Sequence, residues 1–213
     1  VRVLLANVAM AAARQDREIT PLMALFDGHH VRVSVMVRTS KTGASAVQEH
    51  IGWRIREHDQ PYRFVRHPTP EQTERGSGPM WTGPLWDASI AGRMTEQCAL
   101  DRTRPAPEAL DGWRAEGLQW TAEDEEHAAR ETVRGVRHIS EAADLMAQDG
   151  RATLLLNVDD LPRWTGTGRT PRMHHLLEAL HEAGHAAARA PDLNPFLVTD
   201  APFEDVIQIA QGL

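Results

Sequence analysis

The sequence predicts a mixed α/β fold of the α+β kind. Three observations predict it. Val31–Thr39 alternates Val31, Val33, Val35 and Val37 with Arg32, Ser34, Met36 and Arg38, the period of a half-buried strand. Ala122–Gln148 holds neither Pro nor a Gly cluster and is preceded by Thr121, with Asp124 three residues on, the signature of a capped helix. No stretch approaches the ~20 apolar residues of a membrane helix. At 213 residues the chain is long enough for one large domain or two small ones.

In order, Val1–Arg14 is rich in Ala and Leu and reads as a helix. Thr20–Asp27 and Val31–Thr39 form an antiparallel hairpin across Gly28-His29-His30. Ala44–His50 is a short helix, and Gly52–Arg56 starts a strand. His67–Gly78 is rich in Pro, Thr and Gly, so it is expected to be a loop and the domain junction. Ala88–Cys98 is a helix with Asp87 as its N-cap. Leu100–Trp120 is broken by Pro105, Pro107, Gly112 and Gly117 and is partly helical. After the long helix come a strand at Arg151–Asn157, a small helix from Asp159 to Trp164, and a loop at Gly166–Arg169. Thr170 and Pro171 are expected to cap and open a helix with Met173, Leu176, Leu177, Leu180 and Gly184 on its apolar face. Ala186–Arg189 and Phe196–Val198 are alternative strand candidates, and Pro202–Gln211 closes with a helix. No internal repeat or low-complexity tract is visible.

The net charge of −7 argues against a uniformly basic nucleic-acid binder. Lys41 is the only lysine. A compositional Arg bias explains this more simply than function, although Arg forks do pair with phosphates and stack on bases. The single cysteine, Cys98, excludes an intramolecular disulfide and a Cys-rich zinc site. No signal-peptide pattern is present, so a cytoplasmic location is expected. The chain starts with Val1 in an apolar run without a cap, and is expected to be a piece of a longer protein.

His181-Glu182-Ala183-Gly184-His185 spells H-E-x-x-H. On a continuous helix this sets two imidazoles one turn apart with a Glu between them, as in a zinc peptidase. The third ligand is missing. Pro191 occupies one expected position, and Glu204 belongs to the first turn of the closing helix. A helix ending at Gly184, with His181 and His185 on its edge, accounts for the pattern without metal. His174 and His175 are expected to face different sides of the helix. Asp124-Glu125-Glu126 and Asp159-Asp160 read as helix N-terminal charges. No glycine loop follows a strand, and no Ser or Cys stands in a nucleophile signature.

The densest feature is Gly78-Pro79-Met80-Trp81-Thr82-Gly83-Pro84-Leu85-Trp86-Asp87. Gly and Pro alternate with Trp, so the run is stiff and holds aromatic surface at fixed points. It is similar to the Gly-Pro-Leu-Trp-x-Gly-Pro-Leu signature of the tRNA (guanine26-N2)-dimethyltransferases of archaea and eukaryotes. Two flanking segments carry the same resemblance. Val1–Arg38, with Ala11-Ala12-Ala13-Arg14, Pro21-Leu22 and His29-His30-Val31-Arg32-Val33, resembles the last helix and last two strands of that family's methyltransferase domain. Leu176–Pro202, with Arg189 and Thr199-Asp200-Ala201-Pro202, resembles its closing motifs.

The resemblance implies the tail of a Rossmann-like methyltransferase sheet in residues 1–40. It implies an α+β accessory domain with a winged-helix-like C-terminal unit in residues 41–213. The family's cofactor is S-adenosylmethionine. The glycine loop that would hold it and the catalytic Asp-Pro-Phe/Tyr-Gly motif are both absent, so they would lie in an N-terminal part outside this sequence. The chain alone is therefore expected to be catalytically inactive and to contribute tRNA binding. Candidate contacts are Arg32, Arg93 and Arg189 for phosphate and Trp81 or Trp86 for base stacking, with a structural joint favoured for the tryptophans. The family's Cys-x-x-Cys pairs are missing, so no zinc is expected. Ala190-Pro191 and Val198 replace the family's Thr-His and Lys, which would alter any contact those residues make. No membrane association is expected and no protein partner can be inferred. A free-standing winged-helix nucleic-acid-binding module is the runner-up, ahead of the zinc peptidase.

Overall fold

The computed structural model describes residues 1–26, 29–56, 60–101, 103–191 and 194–213. The chain opens with α1 (Arg2–Ala13), which buries Leu5, Ala6 and Ala9. Asp16, at φ 53°, turns the chain sharply. Strand β1 (Arg17–Phe26) therefore begins three residues earlier than the sequence implied. It pairs antiparallel with β2 (Val31–Thr39), with an irregularity between Pro21 and Met23, where proline lacks a ladder donor. Gly28 of the expected turn lies outside the described residues.

Helix α2 (Lys41–Ala46) starts ahead of the expected Ala44 because the Ser40 hydroxyl accepts the Gly43 N–H at 2.9 Å. A 3₁₀ turn, Val47–His50, follows. The second sheet has the order β4-β3-β5, from β3 (Ile51–Arg56), β4 (Tyr62–Val65) and β5 (Ser77–Trp81), all antiparallel. The expected loop at 67–78 is instead largely ordered. It contains α3 (Pro70–Arg75), where Thr69 and Gln72 form a reciprocal capping box with Pro70 in the first turn. The Pro and Thr that read as a breaker are a helix start.

The single helix expected over 88–98 is two: α4 (Ala88–Ala91), capped by Asp87, and α5 (Glu96–Leu100), capped by the Thr95 hydroxyl. The second cap begins a new helix past Gly92. Helix α6 (Pro107–Ala115) precedes α7 (Ala122–Met146), whose capping box joins Thr121 and Asp124 as expected. Hydrogen bonds from Thr121 hold the Asp124 carboxyl below its ordinary range.

The third sheet has the order β6-β8-β7, again antiparallel. Its strands are β6 (Leu154–Asn157), β7 (Ala187–Arg189) and β8 (Phe196–Thr199), so both of the alternative strand candidates form. Between β6 and β7 lie α8 (Leu161–Thr165) and α9 (Met173–Glu182); α10 (Phe203–Gln211) ends the fold. Helix α9 starts at Met173 after Arg172, not after Thr170-Pro171, and has no side-chain cap.

Two hydrophobic cores meet at the third sheet. One gathers Leu5, Ala24, Trp81, Trp86, Ile139 and Ala142. The other gathers Leu156, Leu161, Leu176, Leu180 and Val206. Alternation along β8 sends Val198 into the first and Leu197 into the second, and β7 does the same with Ala188 and Ala187. The first core draws on residues from both sides of residue 40. Among the described residues no helix is long and apolar enough to cross a membrane.

Candidate functional site

The Gly78–Asp87 run belongs to β5 as far as Trp81 and then crosses the first core as an irregular segment whose backbone is tied on every side. The Thr82 N–H and hydroxyl both donate to the His50 carbonyl, at 2.7 and 3.1 Å. The Thr82 carbonyl accepts from the Gly150 N–H at 2.8 Å. The Leu85 and Trp86 N–H groups share the Met146 carbonyl at the end of α7, at 3.0 and 3.2 Å. The Asp87 N–H reaches the Leu22 carbonyl of β1 at 3.0 Å. The run thus binds β1, the 3₁₀ turn and the C-terminus of α7 together, which is where its stiffness is used.

Arg2 completes this joint. Its guanidinium donates to the carbonyls of Trp81 and Gly83, both at 3.0 Å, and lies over the Phe64 ring, 4.8 Å from its centre. A cation in the first turn of a helix opposes the macrodipole; two charge-assisted bonds offset that. Burial pulls the Arg2 pKa down to about 10, against the Asp149 carboxylate, so the group stays cationic at neutral pH. His50 packs on Trp81 with ring centres 4.8 Å apart. Burial lowers the His50 pKa, with Asp149 opposing. Gly83 is glycine for a steric reason: a Cβ there would stand 2.8 Å from His50 Nδ1 and 3.1 Å from the Trp81 ring.

The candidate contacts divide into two groups. Trp81 and Trp86 are 3% and 2% exposed. Their indole N–H groups donate internally, Trp81 to the Pro84 carbonyl at 2.8 Å and Trp86 to the Ala24 carbonyl at 2.9 Å. Both rings are enclosed by the joint. Arg32 is exposed on β2, opposite Leu25. Arg93 is exposed after α4 and helps hold the Asp87 carboxyl below its ordinary range, behind the larger effect of the Ser89 hydroxyl. Arg189 is half-buried on β7, opposite Leu197. Among the described residues no side-chain hydrogen bond links these three.

The H-E-x-x-H pattern is not a helical metal motif. Helix α9 stops at Glu182, and Gly184 takes φ 89°. The His185 N–H returns to the Leu180 carbonyl at 3.0 Å, and the Gly184 N–H to the His181 carbonyl at 2.9 Å. That pair of bonds is a Schellman cap. His181 Nε2 bonds the Ala187 carbonyl at 2.8 Å, while His185 Nε2 lies 3.4 Å from Asp205. The two imidazoles therefore serve different partners. His174 and His175, expected to diverge, instead have ring centres 4.0 Å apart. Among the described residues no group of three or more His, Cys, Asp or Glu could hold a metal ion.

One feature escaped sequence reading. A cavity of about 440 Å³ opens between the three sheets, lined by Arg2, Arg54, Tyr62, Phe64, Trp86 and Phe196 among others. A smaller one of about 130 Å³ adjoins it through Tyr62, Leu155 and Phe196. The signal was the alternation of Arg54 and Arg56 with Tyr62 and Phe64 across a strand pair that only β4, itself unexpected, reveals.

Residues 1–111 match the model of the N2,N2-dimethylguanosine tRNA methyltransferase family. The tRNA (guanine(26)-N(2))-dimethyltransferase of Pyrobaculum aerophilum is 38% identical over 96 residues, covering 45% of this chain and 25% of that protein. The enzyme of the same name from Thermococcus kodakarensis is 22% identical over 213 residues, covering 100% of this chain and 48% of its own length. That of Methanopyrus kandleri is 28% identical over 193 residues, covering 89% and 43%. The structure of Trm1 from Pyrococcus horikoshii in complex with S-adenosyl-L-methionine superposes with a TM-score of 0.70 at 19% identity, over 98% of this chain and 48% of that one. The chain thus spans between a quarter and about half of the length of these relatives.

Proposed function

The chain belongs to the N2,N2-dimethylguanosine tRNA methyltransferase family, and from that premise we propose that it is the C-terminal, tRNA-gripping part of a tRNA guanine-N2 dimethyltransferase. The observation that carries this reading is the family match over residues 1–111, which runs through α1, the β1–β2 hairpin and the joint. In this reading residues 1–40 complete a Rossmann-like catalytic sheet, and residues 41–213 form the accessory domain. Leu4, Val31 and Val37 are exposed apolar residues on α1 and the two-stranded β1–β2 sheet, whereas Val3 and Phe26 line the cavity between the sheets. Apolar surface beside open strand edges supports a larger sheet continuing there. Helix α9 with the β7–β8 pair would form the winged-helix-like unit.

The residues of this chain do not fit S-adenosylmethionine, since no glycine-rich loop follows any strand. The cofactor and the acceptor for the guanine N2 proton would belong to the rest of the parent protein. What this chain's residues would do is hold RNA. Arg32, Arg93 and Arg189 are the proposed phosphate contacts. Trp81 and Trp86 fix the joint on which the RNA-facing surface is built, rather than stacking on bases. The setting proposed is cytoplasmic. The test is tRNA binding by the purified chain. Arg32→Ala, Arg93→Ala and Arg189→Ala together should weaken it and lower its salt dependence; unaltered binding and slope would remove these residues from the interface.

A further inference from the structure

We propose that the cavity between the three sheets is a nucleobase site, which receives one unstacked base of bound RNA with Arg54 and Arg56 on its phosphate side. This rests on the reading of the chain as a tRNA-binding part. Arg54 pairs directly with Phe64 and Arg56 with Tyr62, so all four side chains share one face of the β3–β4 pair. The Arg54 and Arg56 guanidinium carbons lie 4.1 and 5.5 Å from the Tyr62 ring centre. Arg2 sits over Phe64 in the same way, at 4.8 Å. Guanidinium planes alternating with aromatic faces are the arrangement that holds unstacked bases.

Charge points to the same occupant. In a chain of net charge −7, the cavity is lined by the cations Arg2 and Arg54 and, among the described residues, by no carboxylate. Apart from Ser77, Thr153 and the Tyr62 hydroxyl its lining is apolar, floored by Met80, Trp86 and Met146, and its volume of about 440 Å³ is that of a small-molecule site. A flat, apolar-faced ring attached to an anion fits such a lining. The adjoining cavity adds a directed donor: the Trp164 indole N–H borders it, is buried, and has no hydrogen-bond acceptor among the described residues. A ribose oxygen next to the seated base would satisfy it, since Asp160 lines the same small cavity and disfavours a phosphate there. Tyr62 is 38% exposed, so RNA can reach this face without displacing the core.

Trp86 lines the cavity, so tryptophan fluorescence of the 213-residue chain reports occupancy. The probes are a tRNA transcript, a single-stranded RNA tetranucleotide and dodecanoate. Tyr62→Leu and Arg54→Gln alter exposed positions, and circular dichroism checks that each variant is folded. Loss of one stacked base or one charged contact should weaken tRNA binding by about 5- to 100-fold, with Tyr62→Phe close to wild type. Ultraviolet cross-linking should attach RNA to the Tyr62–Val65 peptide. If both variants bind tRNA like wild type while the Arg32, Arg93 and Arg189 substitutions weaken it, the base site is wrong and the wider reading stands. If dodecanoate changes the tryptophan emission and the tetranucleotide does not, the occupant is an apolar acid and the inference falls. If the wild-type chain binds no tRNA, both fall.

Discussion

Replacing Arg2 with Met should destabilise the protein far more than a surface arginine change. Arg2 is half-buried and gives two hydrogen bonds, to the carbonyls of Trp81 and Gly83 at 3.0 Å each. Hydrogen bonds involving a charged group contribute about 1.5–3 kcal/mol each. Removing the donor strands two carbonyls inside the joint, while Asp149 keeps its ion pair with Arg151. Against this, Met needs no desolvation of a charge and keeps an apolar stem near Phe64. The net expected loss is about 2–4 kcal/mol. For a chain of 150–250 residues each kcal/mol moves Tm by about 2–4 °C, so a drop of about 5–15 °C is expected. Thermal and urea unfolding, followed by far-ultraviolet circular dichroism and tryptophan emission, would measure it. Arg2→Lys should fall between, because one ammonium cannot repeat the fork across two carbonyls. A loss below about 0.5 kcal/mol for Arg2→Met, the range of an ordinary surface change, would refute the role assigned to this side chain.

Gly83→Ala should cost about 1–3 kcal/mol by overpacking His50 and Trp81, whereas Gly135→Ala in α7, where a Cβ meets nothing within 4 Å, should gain up to about 1 kcal/mol. Equal urea midpoints for the two would contradict the steric account. His50 titrates below its ordinary value because it is buried. The unfolded chain therefore binds the extra proton first, and stability is full above about pH 6.5 and declines as pH falls below it. His50→Leu should flatten that part of the stability profile, and an unaltered slope would exclude His50 as its source. Dialysis against zinc followed by metal analysis should find less than one equivalent in wild type and no change in His181→Ala; a stoichiometric zinc lost in the variant would restore the metal reading.

Elements whose signals are local were legible from sequence. The Thr121–Asp124 box and the Asp87 cap each name a backbone group and its partner within four residues, and the β2 alternation names its face from adjacent residues alone. Thr69–Gln72 carried the same kind of signal and was obscured by its Pro-rich setting, which looks identical in a loop and in a first helical turn. The break between α4 and α5 was missed because Thr95 reads as an ordinary helix residue until its hydroxyl is seen to cap. His181 and His185 were legible too: H-E-x-x-H presumes a continuous helix, and the expected helix end at Gly184 is there, at φ 89°. The joint's identity lay in its sequence, but its partners did not. Arg2, His50, Met146 and Gly150 are brought to it only by tertiary packing, and the Arg–aromatic row exists only once β3 and β4 pair.

The most direct test of the account is binding of the isolated chain to a tRNA transcript and, separately, to S-adenosylmethionine, by titration calorimetry and by filter binding over a range of salt. The account predicts tRNA binding whose logarithm falls linearly with log salt, with a slope of about −2 to −3 for three phosphate contacts. It predicts no heat with S-adenosylmethionine and no methyl transfer. Cofactor binding, or methylation of guanine by this chain alone, would contradict it, as would a failure to bind tRNA at low salt.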